Sequence, residues 1–224
     1  MGNILRNLDF SIVTRAVISV IPALICITFH ELSHGFVAYR LGDPTAKNMG
    51  RLTLNPIKHI DIFGFLMMVV AGFGWAKPVP VNMLKFKNPK RGMALTALAG
   101  PVSNLLLAAV VMVIYGAASA LMGSRLSGGV GDTVLQMIVR TAYISIALAI
   151  FNMLPIPPLD GSKVLFSFVP NRVYMKLMQY ERYGFIILIV LMYTKAFDST
   201  IGKLTLSIYN YMIGIAQAVY NLLT

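Results

Sequence analysis

Two imidazoles and a carboxylate stand together in the run His30-Glu31-Leu32-Ser33-His34, directly after the apolar stretch Ile21-Pro22-Ala23-Leu24-Ile25-Cys26-Ile27-Thr28-Phe29. Such groups are costly in a hydrocarbon setting unless something binds them, and a metal ion is the usual partner. On a helix, positions i and i+4 share one face, so His30 and His34 can grip one cation together. Glu31 lies beside them, placed to take the proton of a metal-activated water. A catalytic zinc site needs three protein ligands and one open position. The chain has only eight acidic residues, so the search for the third ligand is short. Asp9, Asp43, Asp132, Glu181 and Asp198 fall at segment ends or in loops, and Asp61 opens a short apolar run. Asp160 sits in the proline-broken stretch Pro155-Ile156-Pro157-Pro158-Leu159-Asp160-Gly161 at the end of an apolar segment. A broken helix is tolerated in a membrane protein where it lines a cavity, and a carboxylate there calls for a cation. The expected metal set is therefore His30, His34 and Asp160, with Glu31 as base.

The elements that must position these groups are apolar. Hydrophobic residues make up 57% of the 224 and charged residues 12%, against about 25% charged in a soluble domain. Mean hydropathy is +0.74. The expected fold is an all-α polytopic membrane protein, a single domain over residues 1–224. Its catalytic core spans about 10–168, and C-terminal membrane segments cover about 183–223. Five to six membrane segments fit the length at about 20 residues each.

The first segment runs over about 10–41 and is stopped by Gly42-Asp43-Pro44. Residues 49–56 alternate and read as a short strand ending in a turn. Residues 62–75 form an apolar run too short for a full crossing, which fits a re-entrant or tilted element. A small β or re-entrant element is thus expected near residues 49–82. Pro78 and Pro80 force residues 77–82 to be extended. Helices follow over about 93–122 and 133–153, and two further segments over 183–193 and 204–223.

The formal charge of +11 invites a nucleic-acid reading, which the placement of the charges excludes. Arg40, Lys47, Arg51 and Lys58 follow the first segment, Lys85, Lys87, Lys90 and Arg91 precede the next long one, and Arg172, Lys176 and Arg182 follow the Asp160 turn. Basic residues between apolar runs obey the positive-inside rule. The rich side is expected to be cytoplasmic, in a multi-pass protein of the cell membrane. His34 lies roughly 10 Å along the helix from Leu41, so the metal is expected inside the bilayer, nearer the cytoplasmic face. A lone cysteine, Cys26, excludes an internal disulfide framework. The first apolar run carries the metal residues and lacks the pattern of a cleaved signal, so it is expected to remain in the mature chain.

In its motifs the chain resembles the site-2 protease family of intramembrane zinc metalloproteases. The HExxH pattern appears as His30 to His34. The second signature of that family appears as Asn152-Met153-Leu154-Pro155-Ile156-Pro157-Pro158-Leu159-Asp160-Gly161. Between them, Gly100-Pro101-Val102-Ser103-Asn104 resembles the family's Gly-Pro-x-x-Asn helix start, and Gly74-Trp75-Ala76-Lys77-Pro78-Val79 resembles a loop of its compact prokaryotic members, which carry neither a PDZ nor a CBS domain. The resemblance implies hydrolysis of peptide bonds within or next to transmembrane segments, as in regulated intramembrane proteolysis. It implies one Zn2+ ion, with Asp160 as third ligand and Glu31 as base. Implied partners are single-pass or membrane-anchored protein substrates and the lipid bilayer, with no nucleic acid; the oligomeric state is left open. Asn104 and Asn152 each project an amide from a helix end and are the candidates for a donor to the oxyanion. A substrate helix must unwind to be cut, and residues 51–54 or 77–82 are the candidates to receive it by strand addition. The rival readings are another membrane HExxH peptidase, which would take a glutamate as third ligand, and a metal transporter or zinc-stabilised scaffold, which would not need Glu31.

Overall fold

A computed structural model describes residues 10–71, 74–123 and 129–224. The described chain is built of helices α1 (Phe10–Arg40), α2 (Thr45–Asn48), α3 (Ile62–Ala71), α4 (Pro89–Met122), α5 (Val130–Asn152), α6 (Asp160–Phe166), α7 (Asn171–Tyr193) and α8 (Asp198–Leu223). Two 3-10 turns, Pro56–His59 and Met83–Lys85, lie in the connections.

The helix starts follow local chemistry. Asn88 caps α4 by accepting from the N–H of Arg91, with Pro89 in the first position, where its missing N–H costs nothing. Asn55 and Asn82 cap the two 3-10 turns in the same way. At the core, α4 packs against α1, α5, α6 and α8. Ala108, Met112, Ala142, Ile146 and Ala216 form the buried centre of α4, α5 and α8. Small residues let these backbones approach, as is usual between helices in lipid. A Cβ on Gly116 would stand 2.3 Å from the Ala216 carbonyl oxygen.

Among the described residues, three stretches are long and apolar enough to cross a membrane: Ile18–Arg40, Pro89–Met122 and Val130–Asn152. The C-terminal pair Tyr183–Tyr193 and Asp198–Leu223 is bent by 83° and can make a fourth only if the two are taken as one span. The expected five to six segments are not confirmed. The apolar run at 62–75 yields a helix of only 10 residues, about 15 Å long against a hydrocarbon core of about 30 Å.

The expected β element is not confirmed either: the described residues contain no strand. Residues 49–54 form a turn and bends, with Gly50 at φ 63°. The alternation there serves burial of one residue: Arg51 is inside the protein and donates from Nη2 to the Lys77 carbonyl at 2.7 Å. Residues 77–82 form no regular element, with Asn82 extended, and beside them stands a single antiparallel bridge between Ile60 and Ala76.

Candidate metal centre and cleft

The site is assembled by three devices. The first is the helical spacing of His30 and His34 on α1, which sets the two rings edge to face with centroids 4.6 Å apart. The second is the chain reversal after α5. Residues 153–159 turn the backbone so that Asp160, the first residue of α6, points back at α1. Gly161 makes this reversal tight, because a Cβ there would stand 2.2 Å from the Met153 carbonyl oxygen. The third is Gly100 on α4, whose missing side chain leaves room for the rings. A Cβ on Gly100 would lie 2.5 Å from Cε1 of His30 and 2.6 Å from Nε2 of His34.

The result brings the three expected ligands together. Asp160 Oδ2 lies 3.1 Å from His30 Nε2 and 3.2 Å from His34 Nε2, with all three residues buried. Their ligand atoms fall within 4.8 Å of one another. The proton positions decide what belongs between them. His34 Nδ1 sits 2.7 Å from the Thr96 carbonyl oxygen. That oxygen can only accept, so Nδ1 carries the hydrogen, and in the neutral ring Nε2 presents a lone pair. It faces Asp160 Oδ2, a buried oxygen with no hydrogen-bond partner. Lone pairs converging in a buried pocket call for a cation. A tetrahedral ion bound at about 2.0–2.1 Å separates its ligands by roughly 3.3–3.4 Å, close to the spacing found. The residues present therefore fit a zinc ion.

Glu31, the next residue after His30, is partly buried beside this trio, and its Oε2 accepts from the Val79 backbone N–H at 2.8 Å. Residues 77–82 are pinned along their length. The Lys77 N–H donates to the His59 carbonyl, the Asn82 N–H donates to Asp43 Oδ2 at 2.6 Å, and Asp43 is wholly buried. A cleft of about 430 Å³ opens over the site, lined by His30, Glu31, His34, Val79, Asn152 and Asp160 among others.

The two asparagines part company. Asn152 lines the cleft, and its amide donates to the Leu148 carbonyl one turn back. Asn104 is fully buried behind His30, with Nδ2 3.3 Å from His30 Nδ1. His59 stands apart, its Nε2 donating to the Thr53 carbonyl, so it shapes the loop. Cys26 is buried and donates to the Thr141 carbonyl. The partners that the residue types did not reveal are the Val79 N–H, the Thr96 carbonyl and Asp43. The first two are backbone groups with no residue signature, and Asp43 resembles any other loop aspartate.

The chain is similar to several known proteins. Residues 18–195 match the model of peptidase family M50. A protein of Bacillus subtilis (strain 168) named "Putative zinc metalloprotease YwhC" is 46% identical over 178 residues, covering 78% of this chain and 80% of the relative. A Methanocaldococcus jannaschii protein named "Putative zinc metalloprotease MJ0611" is 34% identical over 70% of this chain and 73% of its own length. A Mycolicibacterium smegmatis protein named "Putative zinc metalloprotease Rip2" is 27% identical over 78% of this chain and 66% of its own length. No solved structure matches. The apolar helices, the buried His-His-Asp set and the family match lead to one conclusion: the chain is a membrane metalloprotease that belongs to peptidase family M50.

Proposed function

We propose that this protein is an intramembrane zinc endopeptidase, hydrolysing peptide bonds within or next to transmembrane segments of single-pass or membrane-anchored proteins. The observation that carries the reading is the convergence of His30, His34 and Asp160 on one point. The two histidines lie within a stretch long and apolar enough to cross a bilayer. One zinc ion held by these three residues would supply Lewis acidity and bring a water's pKa to about 7.

The chain's own residues do the rest. Glu31 takes the proton of the attacking water and passes it to the leaving amine. The Val79 N–H fixes one carboxylate oxygen and leaves the other facing the cleft. Asn152 is the better placed donor to the oxyanion, since it lines the cleft. Asn104 is a positioning residue for His30. With its amide turned over, Oδ1 accepts from His30 Nδ1–H and fixes the ring with the Nε2 lone pair toward the metal. Strand addition of substrate on residues 77–82 would rest largely on carbonyl groups. Pro78 and Pro80 have no N–H, and the Val79 N–H is committed to Glu31.

Two lysines lie where α1 finishes, and Lys47 Nζ donates to the Tyr39 hydroxyl there. Lys85 lies 3.9 Å from Asp43, just past Arg40. That supports a cytoplasmic setting for this end and a metal site nearer that face.

The test is reconstitution in bilayers with a panel of single-pass substrates, comparing the native chain with Glu31→Gln. Zinc should remain bound in both, and cleavage should be confined to the native form and mapped to the membrane region. Undiminished cleavage by Glu31→Gln, or an active protein without metal, overturns the reading.

A further inference from the structure

Glu31 and His30 do not stand at the end of the cleft but at a junction. A second hollow of about 250 Å³ lies on their other side. It shares His30, Glu31, Asn152 and Pro158 with the first, so the two are continuous across the catalytic groups. Their walls differ in kind. The first is mixed, with Thr96, Asp160 and Lys163 beside Val79, Val81 and Met93. The second is faced by Trp75, Leu148, Phe151, Phe185, Leu188 and Ile189, and its charged neighbours are only those of the junction. Trp75 and Phe185 close it edge to face with ring centroids 5.6 Å apart, joining the loop before residue 77 to α7.

Resting on the protease reading above, we propose that this hollow is a substrate subsite. It receives one large apolar side chain, leucine-like or phenylalanine-like, immediately to one side of the scissile bond, while the residue on the other side lies in the first hollow, whose lining is mixed. Three observations carry this. The bond to be cut must lie at the junction, within reach of Glu31 and the metal ligands. An extended peptide crossing there sends successive side chains to opposite faces. The hollow is large enough for one bulky side chain but not for a helix about 10 Å across, so it takes an unwound residue. Burial of such a residue against aromatic and aliphatic walls discriminates against alanine or aspartate at that position by tenfold or more.

The test uses the full-length, zinc-loaded protein in bilayers and single-pass substrates that differ at one residue scanned through the cleavage region as Ala, Leu, Phe or Asp. Products are mapped by mass spectrometry and kcat/KM is measured. Leu or Phe should stand on one fixed side of every efficiently cut bond, favoured over Ala by at least tenfold. Leu148→Trp, which fills the hollow, should bring the Phe-to-Ala ratio close to one. Phe185→Ala, on the opposite wall, should lower it severalfold, so the test does not depend on a single variant folding. Cleavage without this preference, or with the same ratio in both variants, overturns the subsite while leaving the protease reading intact. Activity that instead follows the acyl-chain length of the lipid assigns the hollow to a lipid tail and also overturns it. Loss of metal-dependent cleavage of every substrate by the native chain overturns both.

Discussion

The backbone N–H of Val79 donates to Oε2 of Glu31 at 2.8 Å. A base on a helix is thereby oriented by a segment that is itself tied to α1's far end. Asp43 holds Asn82, and Arg51 holds the Lys77 carbonyl. The carboxylate's aim depends on this strap.

Replacing Val79 with proline removes the donor, whereas Val79→Ala keeps the N–H. A hydrogen bond to a charged group is worth about 1.5–3 kcal/mol, so Val79→Pro should lower kcat by roughly ten- to a hundredfold. Zinc content should be unchanged, and Val79→Ala should stay within a few-fold of the native chain. Steady-state kinetics together with metal analysis checks both.

Gly100→Ala places a methyl where the ring atoms of His30 and His34 stand, 2.5–2.6 Å away. The rings must shift, and the variant should lose most of its bound zinc while remaining helical. Gly202→Ala, where an added Cβ meets nothing within 4 Å, is the control and should keep its metal. Zinc stoichiometry and circular dichroism read the two effects separately.

Asn104 acts through His30. Asn104→Leu leaves His30 Nδ1 without an acceptor and should weaken zinc binding by about ten- to a hundredfold. Asn104→Asp restores an acceptor and should recover much of that loss. A zinc competition titration distinguishes this from a general loss of stability, which Asp would not rescue.

The Asp43 clamp has a pH signature. Burial pushes its carboxyl upward, but hydrogen bonds from the Thr45 hydroxyl, the Asn82 N–H and the Thr45 N–H, with the Lys85 ammonium, outweigh this and hold it below its ordinary 3.8. A carboxylate with a lowered pKa in the folded state contributes stability that is complete above the unfolded value and lost as pH falls through the folded one. Hydrogen exchange at residues 77–88 should therefore be pH-insensitive, beyond its intrinsic rate, above about 5. It should speed up below 3.8 in the native chain. Asp43→Asn should remove that acid-side change and raise exchange at neutral pH.

Much of the site was legible because it follows short-range rules. The i, i+4 spacing of His30 and His34 requires only a helix, and the proline-broken stretch before Asp160 announces a chain reversal. Gly100 could be read as a place of close approach, although not that histidine rings fill the space. What lay hidden depends on contacts distant in sequence. The 49–56 stretch has strand-like alternation, but a strand needs a partner, and Arg51 instead buries itself under Lys77. The expected number of crossings is not confirmed, because an apolar run reports burial or lipid contact and not the length of the helix it forms. Asn104 and Asn152 share a residue type, but the expected helix-end position holds for Asn152 alone, since Asn104 lies inside α4. Only packing shows that one supports a ring while the other faces the cleft.

The bare backbone of α4 at Gly100 has a last consequence. The imidazole pair rests close against main chain on that side, with no α4 side chain between. Approach to the ligand atoms is then through the two hollows that meet at His30 and Glu31. A peptide seated there shuts in the metal, so exchange of the ion by chelators should stall while substrate is bound.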